Sequence, residues 1–115
     1  MCAMMSIAAC SAPLSVEQRY VGTLNGCGAP QTATLVRRRT SFAFAPDTAG
    51  PLVLHGSVGQ DGTIDGGLNT QPPGKPPYLL RVTGTLGPHQ ASVSYVTPRC
   101  TATGQLDLRP KTLLP

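Results

Sequence analysis

Residues Tyr78–Leu86 read YLLRVTGTL, Gly87-Pro88-His89 follows, and Gln90–Thr97 reads QASVSYVT. In the first run Tyr78, Leu80, Val82, Gly84 and Leu86 alternate with Arg81, Thr83 and Thr85; in the second, Val93 and Tyr95 alternate with Ser92 and Ser94. A period of two puts apolar side chains on one face and polar ones on the other, the mark of a half-buried strand. The Gly-Pro connection turns the two runs into a hairpin.

The same reading extends in both directions. It predicts strands at Arg19–Asn25, Thr32–Arg37, Thr40–Ala45, Leu52–Val58, Thr63–Leu68, Tyr78–Leu86, Gln90–Thr97 and Cys100–Arg109. No window carries apolar residues at helical spacing over three turns. The expected fold is therefore all-β, a small antiparallel meander of about eight strands forming a barrel or a sandwich.

The predicted inward face collects Tyr20, Leu24, Phe42, Phe44, Leu52, Leu54, Val58, Ile64, Leu68, Leu80, Val82, Leu86, Val93, Tyr95, Ala102, Leu106 and Leu108. The opposite parity is rich in Thr, Ser and charge, as a solvated exterior requires. Gly22, Gly56, Gly66, Gly84 and Gly104 fall on the inward parity near mid-strand. Inward glycines allow the sharp bending of a small closed sheet, or they leave space for a ligand. The few aromatics available to line a pocket favour bending.

A chain of 115 residues fits one domain. Thirteen glycines, twelve prolines and no tryptophan argue against a helical bundle or coiled coil. Leu, Ile, Val and Phe supply 25 residues, enough for a small core and against wholesale disorder. The net charge is +4, but the basic residues are scattered and few aromatics stand ready to stack on bases, so no nucleic-acid partner is expected. No apolar run of eighteen residues exists to span a membrane as a helix.

Residues 1–10, MCAMMSIAAC, are apolar, small and uncharged, and Ser11-Ala12-Pro13 opens a polar linker; this is the composition of a targeting segment. Within it, Ile7-Ala8-Ala9-Cys10 resembles the lipobox of bacterial lipoproteins, an aliphatic residue and two small ones before an invariant cysteine. The match covers about ten residues and lacks the basic region and full-length apolar core that precede a lipobox. With Met1, Met4 and Met5 all in this stretch, a start further upstream would supply both. The resemblance implies cleavage before Cys10, acylation of its thiol and amine, and anchorage at the periplasmic face of the cell envelope, as in outer-membrane lipoproteins. The resulting division is a truncated signal segment at 1–10, a linker at 11–17, one β domain at 18–109 and a tail at 110–115.

That resemblance also bears on the four cysteines. If Cys10 carries lipid and Cys2 leaves with the signal, Cys27 and Cys100 remain, and an oxidising periplasm would pair them. The alternative is two buried thiols in a cytosolic protein. Structural zinc is not expected, because none of the cysteines forms a CxxC pair and only His55 and His89 could complete a site.

Motifs for catalysis dissolve on inspection. His55-Gly56-Ser57-Val58-Gly59 puts a histidine where a nucleophile elbow needs its first glycine, and lacks the strand-to-helix context. His55 falls on an exterior strand face and His89 in a turn, so neither is placed as a general base. Asp61-Gly62-Thr63-Ile64-Asp65-Gly66-Gly67 lacks the ligand spacing and closing glutamate of a calcium loop, and hairpin chemistry accounts for it. No catalytic residue, metal ligand or cofactor site is assigned, and the chain is read as a non-enzyme.

Two surface features stand out. Arg37-Arg38-Arg39 concentrates charge in a turn that could meet anionic lipid headgroups or an acidic partner, or could be a solvated hairpin tip that discourages aggregation. Asn69–Pro77, NTQPPGKPP, favours extended polyproline II as a connector or a docking loop. The expected function is a small lipid-anchored envelope protein acting as a binding or accessory subunit. Its membrane contact is the lipid anchor, and an envelope protein is the expected partner. Two alternatives are a periplasmic inhibitor of an envelope-directed enzyme such as lysozyme, and a carrier of a small apolar ligand in a cavity bounded by Phe42, Phe44, Tyr78, Leu80 and Tyr95. Small lysozyme-inhibiting lipoproteins resemble this design in architecture only, since no inhibitory loop of theirs is present; Ser92-Val93-Ser94-Tyr95 is the nearest local sequence.

Overall fold

The computed structural model describes residues 17–110. Eight strands form within them: β1 Glu17–Asn25, β2 Gln31–Arg38, β3 Ser41–Ala45, β4 Leu54–Val58, β5 Thr63–Thr70, β6 Tyr78–Leu86, β7 Gln90–Val96 and β8 Thr101–Arg109. Each pairs antiparallel with its neighbour in the chain, and β1 pairs with β8, from Arg19 opposite Arg109 to Asn25 opposite Thr103. The meander is therefore a closed barrel and not a sandwich.

The alternation that predicts the strands also builds the core. Tyr20, Leu24, Ala33, Leu35, Phe42, Phe44, Leu54, Val58, Ile64, Leu80, Val82, Leu86, Ala91, Val93, Tyr95, Ala102 and Leu106 are buried, with no buried polar or charged residue among the described ones. An eight-stranded barrel has an interior just wide enough for its own side chains, and these fill it. Leu52, Leu68 and Leu108 pack against that core from its ends. Tyr78 departs from expectation: it has inward parity, but at the rim it is left 39% exposed.

Strand limits shift where pairing decides them. β4 begins at Leu54 because β3 is short and Phe44 opposite Leu54 is the last pair; Leu52 and Val53 have no strand to join. β5 runs on to Thr70 because Tyr78 pairs with it, which shortens the proline-rich connection to residues 71–77.

The inward glycines are closed up by neighbours. Gly56 and Gly66 face each other across β4 and β5, beneath the ring of Phe42. A Cβ on Gly56 would lie 2.5 Å from the Gly66 Cα and 2.7 Å from Phe42 Cε1, and one on Gly66 would lie 2.8 Å from Phe42 Cζ. Here the glycines serve close strand approach and curvature, with a large side chain laid over the bare backbone.

Tyr20 plugs one end of the core, its hydroxyl donating to the Gly87 carbonyl at 3.0 Å. Burial raises its phenol above the ordinary value, against a smaller lowering by Arg37. A raised folded-state value means that the native state holds its proton where the unfolded chain, near pH 10, has begun to lose it. The stabilisation is thus complete below about pH 10 and is lost as pH rises through the folded value. Tyr20→Phe is expected to cost about 1 kcal/mol at pH 7 through the lost hydrogen bond, and to flatten the alkaline loss of stability. Urea midpoints measured from pH 7 to 11 check both; an unchanged alkaline slope would contradict the assignment.

The Thr70 hydroxyl at the end of β5 is buried with no hydrogen-bond partner among the described residues. Replacing it by an isosteric methyl removes an unpaired polar group and suits a strand. Thr70→Val is expected to raise stability by about 1 kcal/mol, read as a higher denaturant midpoint at constant slope.

Candidate functional site

In an up-and-down barrel successive connections alternate between the two ends, and here the ends differ. The connections at 39–40, 59–62 and 87–89 share one end with Glu17, where the described chain begins, and Arg109, where β8 stops. The connections at 26–30, 46–53, 71–77 and 97–100 share the other. The first end is built of tight turns; the second is a mouth ringed by longer, proline-bearing loops.

The mouth is tied by a Cys27–Cys100 disulfide with Cα atoms 5.5 Å apart, joining the first of these loops to the last beside the β1–β8 seam. Inside the ring lies an open cavity of about 650 Å³. Leu52, Leu80 and Tyr95 line it along with Pro72, Pro76, Pro77, Tyr78, Thr97 and Pro98, and Lys75 and Arg99 stand in its wall. A second cavity of about 350 Å³, between Cys27, Gln31, Pro46, Asp47, Gly50 and Pro51, shares Leu52, Tyr95 and Thr97 with the first.

Local chemistry fixes these loops. Lys75 N–H donates to the Pro72 carbonyl at 3.1 Å, closing a turn in which Gly74 supplies the φ of 75° that a type II turn demands. Gln71 Nε2 donates to the Lys75 carbonyl at 3.0 Å. In the last loop Thr97 Oγ1 accepts from the Arg99 and Cys100 N–H groups, each at 3.1 Å, and Thr97 N–H donates to the Cys100 carbonyl at 2.9 Å. Tyr95 stacks obliquely on Phe44, ring centres 6.0 Å apart, and burial, with the nearby Tyr78 phenol adding to it, holds its hydroxyl protonated beyond the ordinary range.

No family model, curated protein or solved structure matches the chain.

The residues singled out from sequence separate into distinct places. Of the five named for an apolar cavity, Phe42 and Phe44 belong to the packed core, while Tyr78, Leu80 and Tyr95 meet at the mouth. Asn69 and Thr70 end β5, and the proline run after them forms one wall of that cavity rather than a bare connector. Arg37, Arg38 and Arg39 lie at the opposite, tight-turn end. There Arg37 Nε donates to the Arg39 carbonyl at 2.8 Å, Arg38 Nε donates to Glu17 at 2.6 Å, and Arg39 sits at the tip with a φ of 60°. Two of the three guanidiniums are thus engaged within the fold.

His55 lines an exterior groove of about 370 Å³ with Glu17, Arg19 and Arg38, and His89 lies in the β6–β7 turn. Asp61 Oδ1 accepts from Thr63 N–H at 3.1 Å, which holds its carboxyl below the usual range, and Asp65 pairs with Arg81 at 3.0 Å. Among the described residues no three histidine, cysteine or carboxylate groups cluster to hold a metal ion. Cys10 lies outside the described residues.

Sequence reading missed Leu52, Pro98 and Arg99 as parts of one site. The signal was present in the meander itself, since every odd-numbered connection returns to the same end and the three longest connections are among them.

Proposed function

We propose that this chain is a small protein of the bacterial cell envelope, lipid-anchored through Cys10, that works by binding and presents its loop-ringed mouth away from the membrane. The observation that carries this reading is the asymmetry of the barrel: the chain enters at the tight-turn end, where the hollow beside His89, Gln90 and Asp107 is lined mainly by polar side chains, and the cavity walled by prolines and tyrosines opens at the other. Six residues separate Cys10 from Glu17, a reach of at most about 25 Å even fully extended, so an acylated Cys10 holds the tight-turn end near the bilayer. Arg19, Arg39 and Arg109 at that end suit a surface of anionic headgroups. The disulfide fits an oxidising compartment. A rigid scaffold that carries its loops on one end supports a binding or accessory role.

The test is expression from the native locus with its upstream sequence, followed by envelope fractionation, intact mass and a tagged pull-down. A diacyl or triacyl adduct on Cys10 and a stoichiometric envelope partner are expected. Unmodified protein in the soluble fraction would overturn the anchored reading. A second reading, carriage of a small apolar ligand, is favoured by the cavity between Tyr78, Leu80 and Tyr95.

A further inference from the structure

We propose that the mouth cavity binds a small anionic amphiphile: an apolar body held between Tyr78 and Tyr95, and one carboxylate or phosphate head held by Lys75 and Arg99. The inference rests on the mouth being the working end, and it does not require the lipid anchor.

Size comes first. About 650 Å³ falls within the range of small-ligand sites, which are mostly apolar with a few convergent polar groups. The walls are apolar and stiff. Prolines at 72, 76, 77 and 98 have fixed backbones, and tyrosine loses little side-chain freedom on binding, so ordering the site costs little when a ligand enters. Tyr78, on the core parity but 39% exposed, is a large apolar face left uncovered at the top of the barrel.

Charge selects the head group. The two ion pairs among the described residues join Arg38 to Glu17 and Arg81 to Asp65, so Lys75 and Arg99 are in neither. None of the residues lining this cavity is acidic. Each cation rises from a turn fixed by backbone hydrogen bonds, and Arg99 adjoins the disulfide-bonded Cys100. A guanidinium and an ammonium beside one apolar pocket match a carboxylate or phosphate, the guanidinium through paired hydrogen bonds. The protonated Tyr95 hydroxyl is a further donor at the same rim.

The test uses the full chain, oxidised, titrated with dodecanoate, dodecyl phosphate and dodecanol below their micellar concentrations, with acetate and inorganic phosphate as isolated heads. Affinity is read by calorimetry and location by amide chemical shifts. Binding of dodecanoate or dodecyl phosphate below about 1 mM is expected, at least tenfold tighter than dodecanol, with shifts centred on residues 75–80 and 95–99. The preferred head distinguishes a carboxylate ligand from a phosphate one. Lys75→Ala with Arg99→Ala is expected to remove that tenfold preference while dodecanol binding stays unchanged; both side chains are exposed in turns, and unfolding midpoints verify the fold. Equal affinity for dodecanol, shifts centred on Arg37–Arg39, or no binding below 1 mM would overturn the proposal. Native-locus protein recovered without lipid on Cys10 would sink the anchored reading, and probe binding by that same protein would leave this one standing.

Discussion

Replacing Cys27 and Cys100 together by serine is expected to lower the unfolding free energy by about 4 kcal/mol, the chain-entropy value for a cross-link spanning 73 residues. Domains of this size are stable by only about 5–15 kcal/mol in total, so the loss consumes a large share of the margin. The location sharpens the expectation. Among the described residues the β1–β8 seam is the one strand pairing that joins distant parts of the chain, and the bridge ties its mouth end. Urea unfolding of the serine variant, and of the wild-type chain with and without dithiothreitol, measures it. Midpoints that coincide within error would show that the barrel holds its seam without the bridge.

Gly84→Ala is expected to cost about 3 kcal/mol or more. Gly84 lies in the middle of β6 between Ile64 of β5 and Val93 of β7, with a φ of 155° that L side chains rarely adopt. A Cβ there would collide with the Ser92 carbonyl oxygen and come within 3.0 Å of the Val93 Cα, backbone atoms that move only if β7 moves. Strain and overpacking each cost about 1–3 kcal/mol. Gly50→Ala is the control: its nearest neighbours lie at 3.6 Å, its φ is unexceptional, and its cost should stay within about 0.5 kcal/mol. Comparable losses at the two sites would refute the close-approach account of the inward glycines.

The strands were legible because a half-buried strand writes its two faces into alternate residues, as Leu80 to Leu86 shows; Tyr78 and Leu79, at the rim, break the pattern. Closure was not legible in the same way. It depends on β1 meeting β8, and no local pattern distinguishes that pairing from two stacked sheets. The inward glycines were the nearest hint, and they are intelligible only once Phe42 is seen covering Gly56 and Gly66. The Arg37–Arg39 turn could be read as a turn, but not the engagement of Arg38 with Glu17, which the β1–β2 register brings opposite it. The mouth was hidden for a related reason. Its walls come from residues near 52, 75 and 98, brought together by the alternation of the meander rather than by any motif.

The single long-range seam also orders the folding reaction. Seven of the eight strand pairings join neighbours in the chain and form as hairpins, each closing only a short loop. The eighth must wait for the curved sheet to bring Glu17–Asn25 alongside Thr101–Arg109. The transition state is therefore expected to contain the middle hairpins, β5 to β7, with β1 and β8 still apart. Substitutions at Ile64 or Val82 should slow folding, whereas those at Leu24 or Leu106 should mainly speed unfolding.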